Sequence, residues 1–306
     1  MTKTIVTRYG QLEVFENDLI SDFLTIYGEW AQLEINFFCE IFKQKDIKIF
    51  DLGAFIGTFS LGVSEQLEHA RILSVEMSDD SYELLKKNIV RNCSGVISEN
   101  IAVSCSSNGV YFEASDKNRG ESSVLIDPSE NITKEFSKST TLKKLGEKFF
   151  IPDVIKLDLE GHELDVLRGG TNWLKDYKPS LWLECNENKK TLEVLDWLLW
   201  MKYEVFYFAF PSYNKDNFNK EENLIFPIAY EAALIALPNK EIELAFEPGK
   251  FTDCLFYKVD SKEKLRYALF NTPRWGEDNW ASLTINELLG VLSHRVSGID
   301  FEDFLR

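Results

Sequence analysis

From Asp46 to about Leu237 the chain alternates short apolar, β-branched or aromatic runs with stretches of helical period, the one-dimensional form of a parallel sheet wrapped by crossover helices. Ile47 to Phe50, Ile72 to Val75, Val154 to Leu157, Leu181 to Leu183 and Val205 to Phe210 are near-continuous runs, as strands buried on both faces require. Between them, the segment SDDSYELLKKNIVRN offers Ser78 as an N-cap and places Asp79 and Asp80 in the first turn, where the helix dipole favours negative charge. Tyr82, Leu85 and Ile89 then fall on one face of that helix. Two further helices are expected, over Thr58 to Leu67 and from Gly161 to Gly169. The fold class is therefore α/β, with a mostly parallel, doubly wound sheet.

The flanks divide the chain into three regions. Residues 1–45, with the amphipathic stretch Glu29 to Phe42, are expected to form an N-terminal helical cap over the domain spanning 46–237. Residues 113–140 are rich in serine and charge and read as an inserted hairpin or lid, while 238–306 form a helical C-terminal extension. Fifty acidic against thirty-four basic residues give a formal charge of −16, a field that repels phosphate backbones and anionic membrane surfaces. Nucleic acid is thus not an expected partner. The chain has no basic-then-apolar leader and no run of eighteen apolar residues, so a cytoplasmic protein without membrane insertion is expected. Five scattered cysteines without a C-x-x-C pair are read as buried thiols. The pattern is silent on oligomeric state.

The first strand ends in Asp51-Leu-Gly53-Ala54-Phe55-Ile-Gly57 and opens a helix, and nineteen residues after Gly57 the second strand ends in Glu76. Glycines allow a tight turn and close ligand approach, and an acidic residue at the next strand end can accept both ribose hydroxyl protons. A dinucleotide requires G-x-G-x-x-G with the helix N-terminus aimed at its pyrophosphate, whereas here the bulk of Phe55 would crowd a phosphate. A nucleoside ligand without phosphates fits better. S-adenosylmethionine is one, and its sulfonium and ammonium groups suit a strand-end rim bearing Asp51, Asp158 and Glu160.

The segment Val154-Ile-Lys-Leu-Asp158-Leu-Glu160-Gly161-His162-Glu163 runs from a buried strand into a charged turn. With it the sequence resembles the FkbM family of S-adenosylmethionine-dependent methyltransferases. The family pattern D-V-G-A-N-I-G is matched by Asp51 to Gly57, and the signature K-I-D-V-E-G-x-E with V-L-x-G is matched by Lys156 to Glu163 and Val166 to Gly169. The likeness extends to Asn17-Asp18, to Gly28-Glu-Trp-Ala31 with Glu34, and to Asn217-Phe218-Asn219, covering roughly residues 10 to 240. Phe55 replaces the usual Asn, and Met77 the usual Pro.

The resemblance implies a Rossmann-like class I methyltransferase with S-adenosylmethionine as donor, commonly methylating a hydroxyl of a sugar, glycan or secondary metabolite. It implies cofactor binding by Asp51, Gly53, Ala54, Phe55, Gly57, Glu76, Met77, Ala102 and Asp158, with Gly53 to Gly57 on the methionine part, Glu76 on the ribose and Ala102 beside the adenine. An alcohol is a poor nucleophile, so a group must take its proton. Asp158, Glu160 and His162 are the catalytic candidates, and Glu163 serves the following helix. By fold analogy, Asp158, Glu184 and Asn186 offer a divalent-cation site, an alternative not favoured here. Trp182, Trp197 and Trp200 read as core, and Trp30, Trp275 and Trp280 as sugar-stacking or lid residues. Two other readings stay open: a nucleotide-dependent oxidoreductase, disfavoured by Phe55, and a non-catalytic partner subunit that keeps the fold.

Overall fold

The computed structural model describes residues 1–43, 46–92, 95–113, 123–124, 135–225, 229–238, 251–272, 301 and 304–305. The chain opens with strands β1 (Thr2–Thr7) and β2 (Gly10–Phe15), an antiparallel hairpin. Helices α1 (Leu19–Tyr27) and α2 (Gln32–Ile41) follow. The N-terminal region is therefore a hairpin with two helices, where the sequence suggests a helical cap. Leu12 and Val14 point inward at 0% exposure while Gln11 is exposed, the period-two pattern of a half-buried strand. Asp18 caps α1 by accepting the Ser21 N–H at 3.0 Å, and Gly28 ends it in the left-handed region.

The expected alternation then begins: β3 (Lys48–Leu52), α3 (Thr58–Gln66), β4 (Arg71–Glu76), α4 (Asp79–Asn92) and β5 (Val96–Asn100). Short strands β6 (Ala102–Val103), β7 (Val110–Glu113), β8 (Ser123–Val124), β9 (Glu135–Ser137) and β10 (Ser139–Thr140) come next. Among them β7 pairs antiparallel with β8 and β9, while β6 pairs with β10. Most of the expected 113–140 insertion lies outside the described residues, as do Trp275 and Trp280. Helix α5 (Leu142–Lys148) leads to β11 (Val154–Leu157), α6 (Glu163–Gly169), α7 (Thr171–Tyr177), β12 (Ser180–Glu184) and α8 (Lys189–Trp200). Strands β13 (Glu204–Pro211), β14 (Tyr230–Leu237) and β15 (Leu255–Lys258) and helix α9 (Lys262–Phe270) complete the described elements.

Eight strands form one sheet in the order β15-β13-β14-β12-β11-β3-β4-β5. From β5 to β12 neighbouring strands are parallel, and the order reverses between β3 and β11. That reversal opens a crevice beyond the carboxyl ends of those two strands, where doubly wound sheets bind ligands. Beyond β12 the pairing turns antiparallel: β14 inserts between β12 and β13, and β15 covers the outer edge of β13. The tail thus contributes a strand as well as a helix.

Successive strand residues feed opposite cores. Phe50, Leu73, Ile155 and Leu181 join one cluster with residues of α5 to α9, whereas Ile49, Ile72, Val154 and Trp182 join the other with the hairpin and α1 to α4. This two-sided burial explains the near-continuous apolar runs. Trp182 and Trp197 are core as expected, but Trp200 is 56% exposed under the Lys175 ammonium, 4.5 Å from its ring centre. Among the described cysteines Cys39 and Cys185 are buried, Cys254 is half-buried, and Cys105 is exposed, contrary to expectation. No helix among the described residues is long and apolar enough to cross a membrane.

Candidate active site

The glycine turn after β3 is held by backbone hydrogen bonds to β4 and within itself. The N–H groups of Gly53 and Ala54 both donate to Val75 O, at 2.9 and 3.0 Å, and Gly57 N–H donates to Ala54 O at 2.8 Å. Gly53 has φ +87°, and a Cβ there would lie 1.8 Å from the Asp158 carbonyl oxygen. The two strand ends touch at this point, so only glycine fits. Phe55 takes φ +48°, a left-handed conformation that Asn tolerates better, which accounts for Asn being usual at this position. Its ring packs against Phe15 of the hairpin, 5.9 Å between centres.

Glu76, 8% exposed, ends β4 beside this turn. Its Oε2 accepts the Phe55 N–H at 2.9 Å and its Oε1 accepts the Ser78 N–H at 2.8 Å. Burial pushes its pKa up to about 7 against the pull of the Ser78, Phe55 and Met77 N–H groups. Each carboxylate oxygen keeps lone-pair capacity for a ligand hydroxyl. Ala102, just after β5, is 2% exposed and donates its N–H to Lys138 O at 2.9 Å.

A cavity of about 70 Å³ lies on the other side of the turn, lined by Trp30, Glu34, Asp51, Gly53, Phe55, Lys156 and Asp158 among others. Asp51 is 0% exposed; Ser60 Oγ donates to its Oδ2 at 2.6 Å, while Oδ1 has no hydrogen-bond partner. Burial raises its pKa. Lys156 Nζ sits 2.6 Å from Asp158 Oδ2. Burial alone would depress the lysine, but Asp158, Glu34 and Asp51 more than reverse that and hold it charged. Glu34 enters from α2 and accepts the Trp182 indole N–H at 2.7 Å. Its burial pushes the carboxyl up to about 7 despite Lys156. Sequence reasoning placed Glu34 only within a resemblance and gave Lys156 no role, because their meeting depends on the docking of α2 over the sheet.

The turn after β11 has Glu160 at φ +52° and Gly161 at φ +89°. Glu163 Oε1 clamps it by accepting the N–H groups of Leu159 and Gly161, at 2.9 and 3.2 Å. Carboxylate oxygens of Asp158, Glu160 and Glu184 lie within 4.8 Å of one another. Burial first, then Asp158, Glu160 and Glu163, raise the Glu184 pKa, while the Asn186 side chain hydrogen-bonds to it. Glu160 thus joins Asp158 and Glu184 as a third acid, and the Asn186 side chain hydrogen-bonds to Glu184. His162 occupies the N-cap position of α6 at 9% exposure, with Nδ1 3.7 Å from the Asp165 carboxylate. It does not line the cavity beneath the glycine turn.

Two outlying motifs, Gly28 to Ala31 and Asn217 to Asn219, form one brace. Glu29, 4% exposed, accepts from Arg8 Nε at 2.6 Å, Asn214 Nδ2 at 2.8 Å and Phe218 N–H at 3.0 Å. Asn217, fully buried, closes its own loop on Asn214 O and Glu221 O, and Asn219 Nδ2 donates to the carbonyls of Thr25 and Ile26. Trp30 packs edge-on against Phe23, 5.0 Å between centres, and its carbonyl accepts the Tyr9 hydroxyl at 2.7 Å.

A mostly parallel sheet that reverses between β3 and β11, with a tight glycine turn and a pinned acid at the next strand end, is a Rossmann-like architecture. Residues 51–207 match the family described as the methyltransferase FkbM domain, and the chain belongs to that family. The hexuronic acid methyltransferase AglP of Haloferax volcanii is 32% identical over 139 residues, which are 43% of this chain and 53% of that protein. The chain therefore spans about half the length of this curated relative. Among solved structures, a precorrin-6y C5,15-methyltransferase from Geobacter metallireducens covers 68% of this chain and 88% of its own, at 10% identity and a TM-score of 0.43. Methyltransferase FkbM from Methylobacillus flagellatus covers 63% and 44%, at 16% identity and a TM-score of 0.40.

Proposed function

We propose that this protein transfers a methyl group from S-adenosylmethionine to a hydroxyl of a sugar, glycan or secondary metabolite. The observation that carries the reading is the Glu76 carboxylate, oriented by the Phe55 and Ser78 N–H groups next to a turn where a Cβ on Gly53 would strike Asp158. The residues suit this donor. Glu76 would grip the ribose diol, the Gly53 to Gly57 backbone would flank the methionine part, and the unpartnered Asp51 Oδ1 invites a positive or hydrogen-donating group. Asp51, Ala54, Phe55, Gly57, Met77, Ala102 and Asp158 complete the proposed donor contacts.

When bound, the donor supplies a methyl group on a positively charged sulfur. The chain must align the acceptor oxygen with that carbon and accept its proton. Asp158 is suited to receiving it. Lys156 pins its Oδ2 at 2.6 Å, leaving Oδ1 to take the hydroxyl proton as the new oxygen–carbon bond forms. Glu160 belongs to the same acidic rim and orients the acceptor, and His162 stands at the start of α6 with Nδ1 3.7 Å from the Asp165 carboxylate. The relative named above acts on a hexuronic acid. For this chain an uncharged hydroxyl is the better acceptor, because a carboxylate would meet Asp158, Glu160 and Glu184.

In this reading residues 46–237 form the donor-binding domain, 1–45 its cap and 238–306 an extension. Free cysteines among the described residues support a cytoplasmic setting, and the formal charge of −16 argues against nucleic-acid acceptors. Calorimetry with S-adenosylmethionine, NAD and ATP tests the donor, and transfer of labelled methyl to neutral sugars, hexuronates and phenols tests the acceptor. Saturable heat with S-adenosylmethionine is expected. Uptake of NAD or ATP without it would overturn the reading.

A further inference from the structure

The cavity beneath the glycine turn is unbalanced in charge. Glu34, Asp51 and Asp158 line it, against the single ammonium of Lys156. That ammonium lies 2.6 Å from Asp158 Oδ2, so one carboxylate largely consumes it. Asp51 is 0% exposed, and its Oδ1 meets no donor although Ser60 satisfies Oδ2. A buried carboxylate oxygen left in this state is costly unless a ligand supplies a donor or a positive charge.

Glu34 has a defined posture in this cavity. The Trp182 indole N–H holds its Oε1 at 2.7 Å, and the charged groups acting on it are Lys156 of β11, Asp158 just after it and Glu231 of β14. Two of the three are negative. A ligand cation beside the glycine turn would relieve Glu34 and Asp51 together. The donor carries such a charge at the reacting sulfur, and methyl transfer removes it.

We propose that this cavity reads the positive charge of the donor's sulfonium, with Glu34 as the residue that distinguishes S-adenosylmethionine from the neutral thioether left after transfer. The inference rests on the methyltransferase reading and adds a product-release device to it. Once the methyl group has moved, the carboxylates lose their counter-charge and S-adenosylhomocysteine is held less tightly. Removing a ligand charge beside a partly buried carboxylate changes affinity by on the order of tenfold to a hundredfold.

The two ligands share adenine, ribose, ammonium and carboxylate, so the ratio of their affinities isolates the sulfonium. The Glu34 carboxyl is pushed up to about 7 by burial, so it ionises as pH rises through neutrality. The sulfonium favours the ionised form, and its binding releases a proton. Preference for S-adenosylmethionine over S-adenosylhomocysteine should therefore grow with pH and level off above about 8.

Isothermal titration of both ligands into the wild type and Glu34→Gln, at about pH 6 and pH 8, tests this. The variant keeps an oxygen for the Trp182 N–H and loses only the charge. Expected is a roughly tenfold weaker S-adenosylmethionine affinity in Glu34→Gln at pH 8, with S-adenosylhomocysteine within about twofold, which also shows the variant to be folded. Equal weakening of both ligands, or of neither, overturns the inference alone, as does a wild-type preference that ignores pH. No heat from either ligand with the wild type removes the donor assignment, and this inference with it.

Discussion

Asn88 of α4 and Ile56 of the glycine turn are joined by a hydrogen bond, the Asn88 Nδ2 donating to the Ile56 carbonyl at 3.1 Å. The same side chain pairs with the backbone of β2, accepting the Glu13 N–H at 2.7 Å and donating to Glu13 O at 3.0 Å. One helical turn later Asn92 repeats this with Gln11, at 3.0 and 2.7 Å. Residues four apart on a helix thus match residues two apart on a strand, and the amides close the free edge of the hairpin. Hairpin, α4 and glycine turn are one mechanical unit.

Replacing Asn88 by Ala is expected to destabilise the protein by about 2–4 kcal/mol, since it leaves the buried Ile56 carbonyl and the half-buried backbone groups of Glu13 unpaired. Asn92→Ala, at a more exposed site, is expected to cost about 1 kcal/mol or less. Denaturant melts of the two variants measure the difference. Equal losses would show that the link to the turn contributes nothing.

Two glycines with similar backbone angles should respond differently to alanine. Gly53 has φ +87° with the Asp158 carbonyl 1.8 Å from where an alanine Cβ would stand, whereas Gly161 has φ +89° with nothing nearer than Lys190 Nζ at 3.6 Å. Gly161→Ala carries the conformational penalty alone, roughly 1–2 kcal/mol, while Gly53→Ala adds a backbone collision and should exceed about 3 kcal/mol. Thermal melts of both variants check this. A Gly53→Ala protein as stable as Gly161→Ala would mean that the strand ends part easily.

The half of the site proposed to hold the donor is legible in sequence because it is local: Gly53, Gly57 and Glu76 sit at or just beyond the ends of strands whose apolar runs announce them. The strands beyond β12 were harder. Nothing in Val205 to Phe210 says that its neighbours run antiparallel, since a strand buried on both faces reads the same either way. Glu34 was visible only as a matched position, because its partners Trp182 and Lys156 lie more than a hundred residues away. Trp30 reads in sequence as a sugar-stacking residue, yet its neighbour Glu29 is spent on Arg8, Asn214 and Phe218. Buried acids serving as braces and buried acids serving ligands look alike until their partners are known.

Glu76 serves the fold and, in the proposed reaction, the donor, and two variants separate these roles. Glu76→Ala leaves the Phe55 and Ser78 N–H groups without their acceptor, so a stability loss of about 2–3 kcal/mol is expected along with a loss of donor affinity of about 2–4 kcal/mol. Glu76→Gln retains one accepting oxygen but turns an amide N–H₂ toward the second donor, so both losses should be smaller. Melting curves and equilibrium dialysis of S-adenosylmethionine resolve them. Wild-type affinity in Glu76→Ala would remove the ribose assignment.

The raised carboxyls set a direction for stability against pH. Burial lifts Glu34 and Glu76 from 4.5 to about 7, so the folded protein holds protons that the unfolded chain has released. Their stabilising effect is complete below about pH 4.5 and is lost as pH rises through 7, where the unfolded chain has long been ionised and the folded one must ionise too. The ligand-free protein should accordingly melt at a higher temperature near pH 5.5 than near pH 7.5, by on the order of 1–3 kcal/mol for the buried Glu76 and less for the partly exposed Glu34. Self-repulsion at a formal charge of −16 acts in the same direction, so single variants are needed to apportion the slope. Glu76→Gln and Glu34→Gln should each flatten the profile between those two pH values, Glu76→Gln by more. Differential scanning calorimetry in matched ionic strength checks this, and variants that keep the full wild-type slope would show that both carboxyls titrate as they do in the unfolded chain.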